Sequence, residues 1–410
     1  MTDTPRNNTT ELRLLGRVIS GGEIGDVLDR GITPGWFTTP ENVEVFKYVR
    51  DFFSKYGSLP TGPTVKQNFP EFRIVKSEEN IEALTDMFIE EHKRRETADM
   101  LQTAITAYED NAEAALNLMA SRAGEILDIG SFASGYIDLN DNAESRMAEY
   151  EEIELNPDGL LGVTTGFRTL DRASLGLQPG QLSTVIAKPK VGKSTLTLLM
   201  AIEANRAQKK VFYQTIEMSA KEQQYRADSF RSRINWNTLV SGKMSEPQKR
   251  HLRRTLAELA NYPQMAIEDA RAGLTVSSLH ARLQKRKPDI AFVDGVYLMQ
   301  DEVTGEYNTP QALTNITRAM KRLAQRLNIP IVMSTQVLPS KAKGNAVRAE
   351  DIGYSSSFFQ DSDNVVALER TEDDDRRVLR IEAARNLQGV RTELNWDWQN
   401  VNFSEFYGDE

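Results

Sequence analysis

The chain has 410 residues, 40% of them hydrophobic and 8% aromatic, which is enough apolar material for about two or three cored domains. With no cysteine and only His92, His251 and His280 as histidines, it offers no disulfide framework, no thiolate chemistry and no histidine-built metal centre. A net charge of −9 excludes a surface coated in positive potential, but not a channel that is basic only where a strand of nucleic acid passes.

The opening stretch, MTDTPRNNTTELRLL, lacks the charged-then-apolar pattern of a secretory signal. No apolar run reaches the ~18 residues that a membrane span needs. The expected compartment is the cytoplasm, with no membrane partner.

Residues 1 to about 128 read as an all-helical domain without a chemical motif of its own. In TPENVEVFKYVRDFFSKYG, Thr39 is the expected N-cap and Pro40 the first helical residue. Val45, Phe46, Val49, Phe52 and Phe53 then recur at helical spacing until Gly57 ends the run. A longer helix is expected over about 78–108, with Ile81, Leu84 and Phe88 on one stripe, and a shorter one over 112–127. Residues 129–165 read as a linker. Gly, Ser, Asn and Asp cluster at both ends of a short acidic segment, about 141–154, whose Met147, Tyr150 and Ile153 are too sparse for a core helix.

From about 166 to 410 the rhythm changes. Short β-rich runs at LSTVIA, KVFYQT, DIAFVD, IPIVMST and NVVALE alternate with helical stretches. Leu313, Ile316, Met320, Leu323 and Leu327 step by three and four along one of those helices. This alternation predicts an α/β domain around a mostly parallel central sheet.

The chemistry starts where the LSTVIA strand runs into Ala187-Lys188-Pro189-Lys190-Val191-Gly192-Lys193-Ser194-Thr195 and then into a leucine-rich helix. That strand–loop–helix context is what a phosphate-binding loop requires, although Ala187 stands where the general pattern has a glycine. Gly192 lets the backbone curl so that successive N–H groups face one anion. Lys193 reaches the β- and γ-phosphates, and the Ser194 hydroxyl holds Mg²⁺. The helix N-terminus adds partial positive charge. Asp294, closing the strand DIAFVD, is the expected carboxylate on the Mg²⁺ side. Glu217, just beyond the strand VFYQT and ahead of a capping box at Ser219 and Glu222, stands at the carboxyl edge of the sheet. There it can polarise an attacking water. Gln336 ends the strand IPIVMSTQ and offers an amide to a γ-phosphate. Arg385 precedes an expected hairpin turn, Asn386 to Gly389, between two strand-like runs. Lys341, Lys343 and Arg348, followed by Gly353, Ser355, Ser356 and Ser357, combine charge with small residues that let a backbone approach phosphates.

Taken in order, GVTTGFRTLDRASLGLQPGQL, AKPKVGKST, TIEMSAKEQ, FVDGVYLM, LAQRLNIPIVMSTQ, SSFFQDSDNVV and AARNLQGV resemble the motifs of the DnaB-type replicative helicases, whose motor is a RecA-like P-loop ATPase. The resemblance covers about 162–400 and extends more weakly to the helical amino half. It implies that Ala187 with Pro189 is an ordinary variant of that family's phosphate loop. It implies that Lys193, Ser194 and Asp294 serve ATP and Mg²⁺, that Glu217 is the catalytic carboxylate, and that Gln336 senses the phosphate. By the same resemblance Arg385 reaches into a neighbouring subunit's site. Sites completed by a neighbour need a head-to-tail interface, which closes as a ring; the family is hexameric. The loop with Lys341, Lys343, Arg348, Gly353 and Ser355–Ser357 would grip single-stranded DNA, with 5′-to-3′ travel, and the 129–165 segment would dock on the adjacent subunit. Primase and a helicase loader are the further partners implied. The chain's compactness and divergent linker fit a bacteriophage member. Three departures stand out: Gly353 replaces the family's usual arginine, Ala383 its usual lysine, and Gly295 the tyrosine that usually follows the aspartate. A RecA-like recombinase or loader, or a primase-recruiting scaffold, are the other readings that the pattern leaves open.

Overall fold

The computed structural model describes residues 9–130, 143–154, 159–270, 273–336, 357–384 and 389–406. The chain divides into two compact units, Met1–Asp141 and Asn142–Glu410.

The first unit is helical: α1 (Thr9–Gly21), α2 (Gly25–Asp29), α3 (Pro40–Tyr56), α4 (Gly62–Asn68), α5 (Ile81–Asp110) and α6 (Ala112–Asp128). Thr39 caps α3 by accepting from the Asn42 N–H, Pro40 opens it, and Gly57 closes it in the left-handed region at φ 67°. Asn80 caps α5, so that helix starts three residues later than its apolar spacing alone suggests. Leu14, Leu15, Val45, Phe46, Val49, Leu84 and Phe88 share one core. Within it lies a carboxylate that no periodicity announces. Glu11 is fully buried and accepts hydrogen bonds from the Thr38 N–H (2.9 Å), the Thr38 hydroxyl (2.8 Å) and the Asn42 amide (2.7 Å), with Arg95 at 3.8 Å. Glu11→Ala strands these donors, and should cost about 3 kcal/mol of stability in a denaturant titration. Glu11→Gln, which keeps most acceptors, should cost clearly less; equal losses would mean that shape rather than charge matters here.

The second unit opens with α7 (Ala143–Glu154), whose Met147 and Tyr150 are exposed as the sparse pattern predicts, and α8 (Arg168–Ser174). There follow β1 (Leu182–Ala187), α9 (Lys193–Arg206), β2 (Val211–Thr215), α10 (Ala220–Ser232), α11 (Trp236–Val240), α12 (Glu246–Glu258), β3 (Met265–Asp269), α13 (Val276–Arg286), β4 (Ile290–Asp294), α14 (Pro310–Leu327) and β5 (Ile331–Gln336). The unit closes with α15 (Ser357–Asp361), β6 (Asn364–Arg370), β7 (Arg376–Ala384), β8 (Arg391–Asn395) and β9 (Glu405–Phe406).

The nine strands form one sheet in the order β3-β2-β4-β5-β1-β6-β7-β8-β9. Pairings from β3 to β6 are parallel, and those from β6 to β9 antiparallel. β1, β2 and β4, covered by helices on both faces, are buried at every position, and polar residues within them such as Ser183, Thr184 and Gln214 are hydrogen-bonded to neighbours. Each face carries its own core: Val185, Phe292 and Val332 look one way, Ile186, Val293 and Met333 the other. Leu313, Ile316, Met320 and Leu323 bring α14 onto the second face. Register then aligns the strand ends, with Ala187 opposite Gln336, Thr215 opposite Asp294, and Asp294 opposite Ser334. The carboxyl ends of β1, β2, β4 and β5 therefore meet at one edge.

Candidate nucleotide site

Gly192, at φ 120°, ends the loop and Lys193 begins α9. Lys190 takes φ 64°, a left-handed position that helps the backbone curl over the helix N-terminus. The loop is braced by the antiparallel end of the sheet. The Arg377 guanidinium of β7 donates to the Val191 carbonyl (3.1 Å) and lies 5.3 Å from the Trp396 ring. Burial, and then Arg370, hold that guanidinium below its ordinary pKa. Trp396 packs so closely that a β-carbon on Gly192 would come within 2.3 Å of it.

Lys193, 6% exposed, points to the strand ends, where its ammonium meets Glu217 Oε2 and lies 3.7 Å from Asp294 Oδ1. Glu217 is held by a fixed turn. The Ile216 N–H donates to the Asp294 carbonyl (3.1 Å), and the Thr215 hydroxyl donates to the Met218 carbonyl (2.9 Å). The capping box expected at Ser219 and Glu222 then starts α10, and its hydrogen bonds draw the Glu222 carboxyl below the usual range. Gln336 donates to Glu217 Oε1 (2.7 Å) and to the Tyr297 hydroxyl (2.5 Å).

Asp294 is fully buried. Its Oδ1 accepts from the Ser334 hydroxyl (2.6 Å), whose oxygen in turn accepts from the Gly295 N–H (3.0 Å). Its Oδ2 accepts no hydrogen bond among the described residues. A buried carboxylate oxygen with no hydrogen-bond donor fits a hard cation such as Mg²⁺, for which the Ser194 hydroxyl at the start of α9 is a further candidate oxygen ligand.

Lys193, Ser194, Glu217 and Gln336 line a cavity of about 980 Å³ that also takes in Arg226 of α10 and, on its outer side, Arg377, Trp396 and Trp398. Arg226 forms no ion pair or hydrogen bond among the described residues, and burial lowers its pKa. A larger cleft of about 1110 Å³ opens among Pro179, Lys209, Pro288 and Pro330, the residues just ahead of β1, β2, β4 and β5. It lies at the amino ends of the strands and has none of the phosphate-binding groups. Ligands of open α/β sheets bind at the carboxyl ends, so the smaller cavity is the candidate site.

Of the residues singled out from sequence, the structure brings Lys193, Glu217, Asp294 and Gln336 together, with Ser194 on the same helix end. Arg385, Lys341, Lys343, Arg348, Gly353, Ser355 and Ser356 lie outside the described residues. Ser357 opens α15 and is buried. Sequence reading missed Tyr297, Ser334, Arg226, Arg377 and Trp396. The first two sit within stretches already marked as motifs and carried a positional signal. Arg377 lies in a strand, and Trp396 just beyond one, that the helix–strand alternation does not reach.

Residues 162–405 match the family described as DnaB-like helicase C terminal domain. The chain is 29% identical over 225 residues to the replicative DNA helicase DnaB of Pasteurella multocida (strain Pm70), covering 52% of this chain and 48% of that protein. It is also 29% identical over 255 residues to the replicative DNA helicase DnaB of Geobacillus stearothermophilus, covering 58% of this chain and 56% of that one. The matches thus span about half the length of these relatives. A solved structure of a DnaB-like replicative helicase, described with its interactions with primase, superposes with a TM-score of 0.65. That match covers 97% of this chain and 99% of the other at 19% identity, and it speaks for the fold alone.

Proposed function

The chain belongs to the DnaB-like helicase family by its match over residues 162–405, and from that premise we propose that it is an ATP-driven replicative helicase that moves along single-stranded DNA and separates duplex. The observation that carries this reading is the convergence of Lys193, Glu217, Asp294 and Gln336 at one sheet edge. In the proposed division of the chain, residues 1–128 form the helical amino-terminal domain, 129–165 the linker and 166–410 the motor.

ATP fits the loop and helix end, and Mg²⁺ fits Ser194 and Asp294; when bound, the ion supplies charge neutralisation on the phosphates. The chain's own residues do the rest. Backbone N–H groups at the start of α9 receive phosphate oxygens, and Lys193 neutralises charge developing between the β- and γ-phosphates. The Ser334 hydroxyl fixes Asp294 by occupying Oδ1, leaving Oδ2 for the ion. Glu217 is the base that takes the proton of the attacking water once Lys193 and Gln336 turn toward phosphate. The Trp396 and Arg377 wall excludes water from the outer side of the loop.

Arg385 would complete this site from a neighbouring subunit, which requires a ring, proposed to be hexameric. Lys341, Lys343, Arg348, Gly353, Ser355 and Ser356 remain the proposed DNA-binding segment, beginning just after Gln336, whereas Ser357, buried at the start of α15, leaves that set. Primase and a loader are proposed partners, and 5′-to-3′ is the proposed direction.

The test is ATP hydrolysis with and without single-stranded DNA, alongside strand separation on a forked duplex. DNA-stimulated hydrolysis with unwinding is the expected result. Stimulated hydrolysis without unwinding, in protein shown to form rings, would move the reading to a recombinase or loader. No hydrolysis under either condition would leave a scaffold.

A further inference from the structure

Glu217 is engaged on both oxygens. Lys193 meets Oε2, and the Gln336 amide donates to Oε1 at 2.7 Å. Each oxygen keeps a second lone pair, but both donors stabilise the negative charge and fix the carboxylate's orientation, so it takes a proton from water less readily while they hold it. What holds Gln336 there decides how readily Glu217 is released.

The amide nitrogen has two hydrogens. One goes to Glu217 and the other to the Tyr297 hydroxyl at 2.5 Å, so both donors are satisfied. The orientation of the amide follows from its partner, because an ionised carboxylate accepts only and therefore faces the nitrogen. The Tyr297 ring also lies 5.5 Å from the Lys193 ammonium. One side chain thus touches both groups that grip Glu217, without lining the cavity itself.

The local backbone explains how it gets there. Gly295 takes φ 96°, and a single 3₁₀ turn, Val296–Leu298, follows it. Val296 and Met299 are fully buried and pin the turn at either end, leaving Tyr297 half-exposed and directed at the end of β5. A β-carbon at residue 295 would sit 3.3 Å from Glu217 Cγ, so glycine also gives the carboxylate its room.

We propose that Tyr297 is a positioning residue that keeps the Gln336 amide on Glu217, so that its hydroxyl restrains hydrolysis until Gln336 is drawn away. The inference rests on the ATPase reading of this site. Tyr297→Phe keeps the ring over Lys193 and removes only the hydroxyl. Losing one hydrogen bond shifts a two-state balance by about fivefold. DNA-independent turnover should therefore rise about fivefold while the DNA-saturated rate stays put, so that the stimulation ratio falls by the same factor. A merely structural tyrosine would lower both rates together. A nucleotide-free crystal structure of the variant gives a readout separate from turnover, in which Gln336 should have left Glu217. An unchanged Gln336–Glu217 hydrogen bond, or rates that fall in parallel or do not move, overturns the proposal. Should the parent protein hydrolyse nothing, the ATPase reading fails while the crystal structure still decides whether Tyr297 holds the amide.

Discussion

Lys193→Ala should lower ATP turnover about 10³-fold or more, the scale of losing a preorganised group aimed at developing charge. The geometry makes the loss larger than that of one contact. Lys193 is the ammonium facing both Glu217 and Asp294, and it is nearly inaccessible to solvent. Without it two carboxylates, one of them fully buried, face each other across the phosphate position with no cation between them. The resting protein should therefore also melt earlier. Steady-state hydrolysis and thermal denaturation of the same preparation separate the two effects. Turnover close to the parent's in a folded variant would remove Lys193 from the site and the site from the cavity.

Gly192→Ala is the second large effect expected. At φ 120° an L-residue is strained whatever surrounds it, and the added methyl would lie 2.3 Å from Trp396 Cζ2 and 3.1 Å from Cε2. The indole cannot retreat freely. Its ring packs edge-on to Phe403 at 5.2 Å between centroids, and Arg377 lies against it while holding the Val191 carbonyl. Strain and overpacking together should cost about 3 kcal/mol, delivered to the loop that must bind phosphate. A fluorescent ATP analogue should bind about 100-fold more weakly, the same energy expressed as affinity. Adding Trp396→Leu should recover part of the loss, because a smaller ring-side neighbour makes room for the methyl. A double variant no better than Gly192→Ala alone would put the whole cost in the backbone and none in the contact with Trp396.

Much of the central architecture is legible in the sequence for one physical reason: a strand buried on both faces is built mainly of apolar and β-branched residues. LSTVIA coincides with β1, and the other four β-rich runs differ from β2, β4, β5 and β6 by a residue or two at the ends. The edge strand β3 escapes because it is only half-buried along its length and its sequence, MAIED, is correspondingly mixed. The ribbon β7–β9 escapes for another reason. Arg377 and Arg380 sit mid-strand in β7, with the Arg380 charge met across the sheet by Glu369 of β6, so the run does not look apolar. Among the site residues, those carried by a spacing (Gly192, Lys193, Ser194 and Asp294) can be read directly. Arg377 and Trp396 cannot, since their contact with the phosphate loop exists only once β1, β6, β7 and β8 are laid side by side.

That dependence has a temporal side. The loop, Glu217 and Asp294 are all made before residue 295, but Arg377 and Trp396, which brace the loop, leave the ribosome long afterwards. During synthesis the nascent chain holds Lys193, Glu217 and Asp294 before it holds Gln336 or the wall that gives the loop its shape. On the proposed function, a partly made subunit should engage nucleotide only weakly, and competence should arrive with the last strands to be translated.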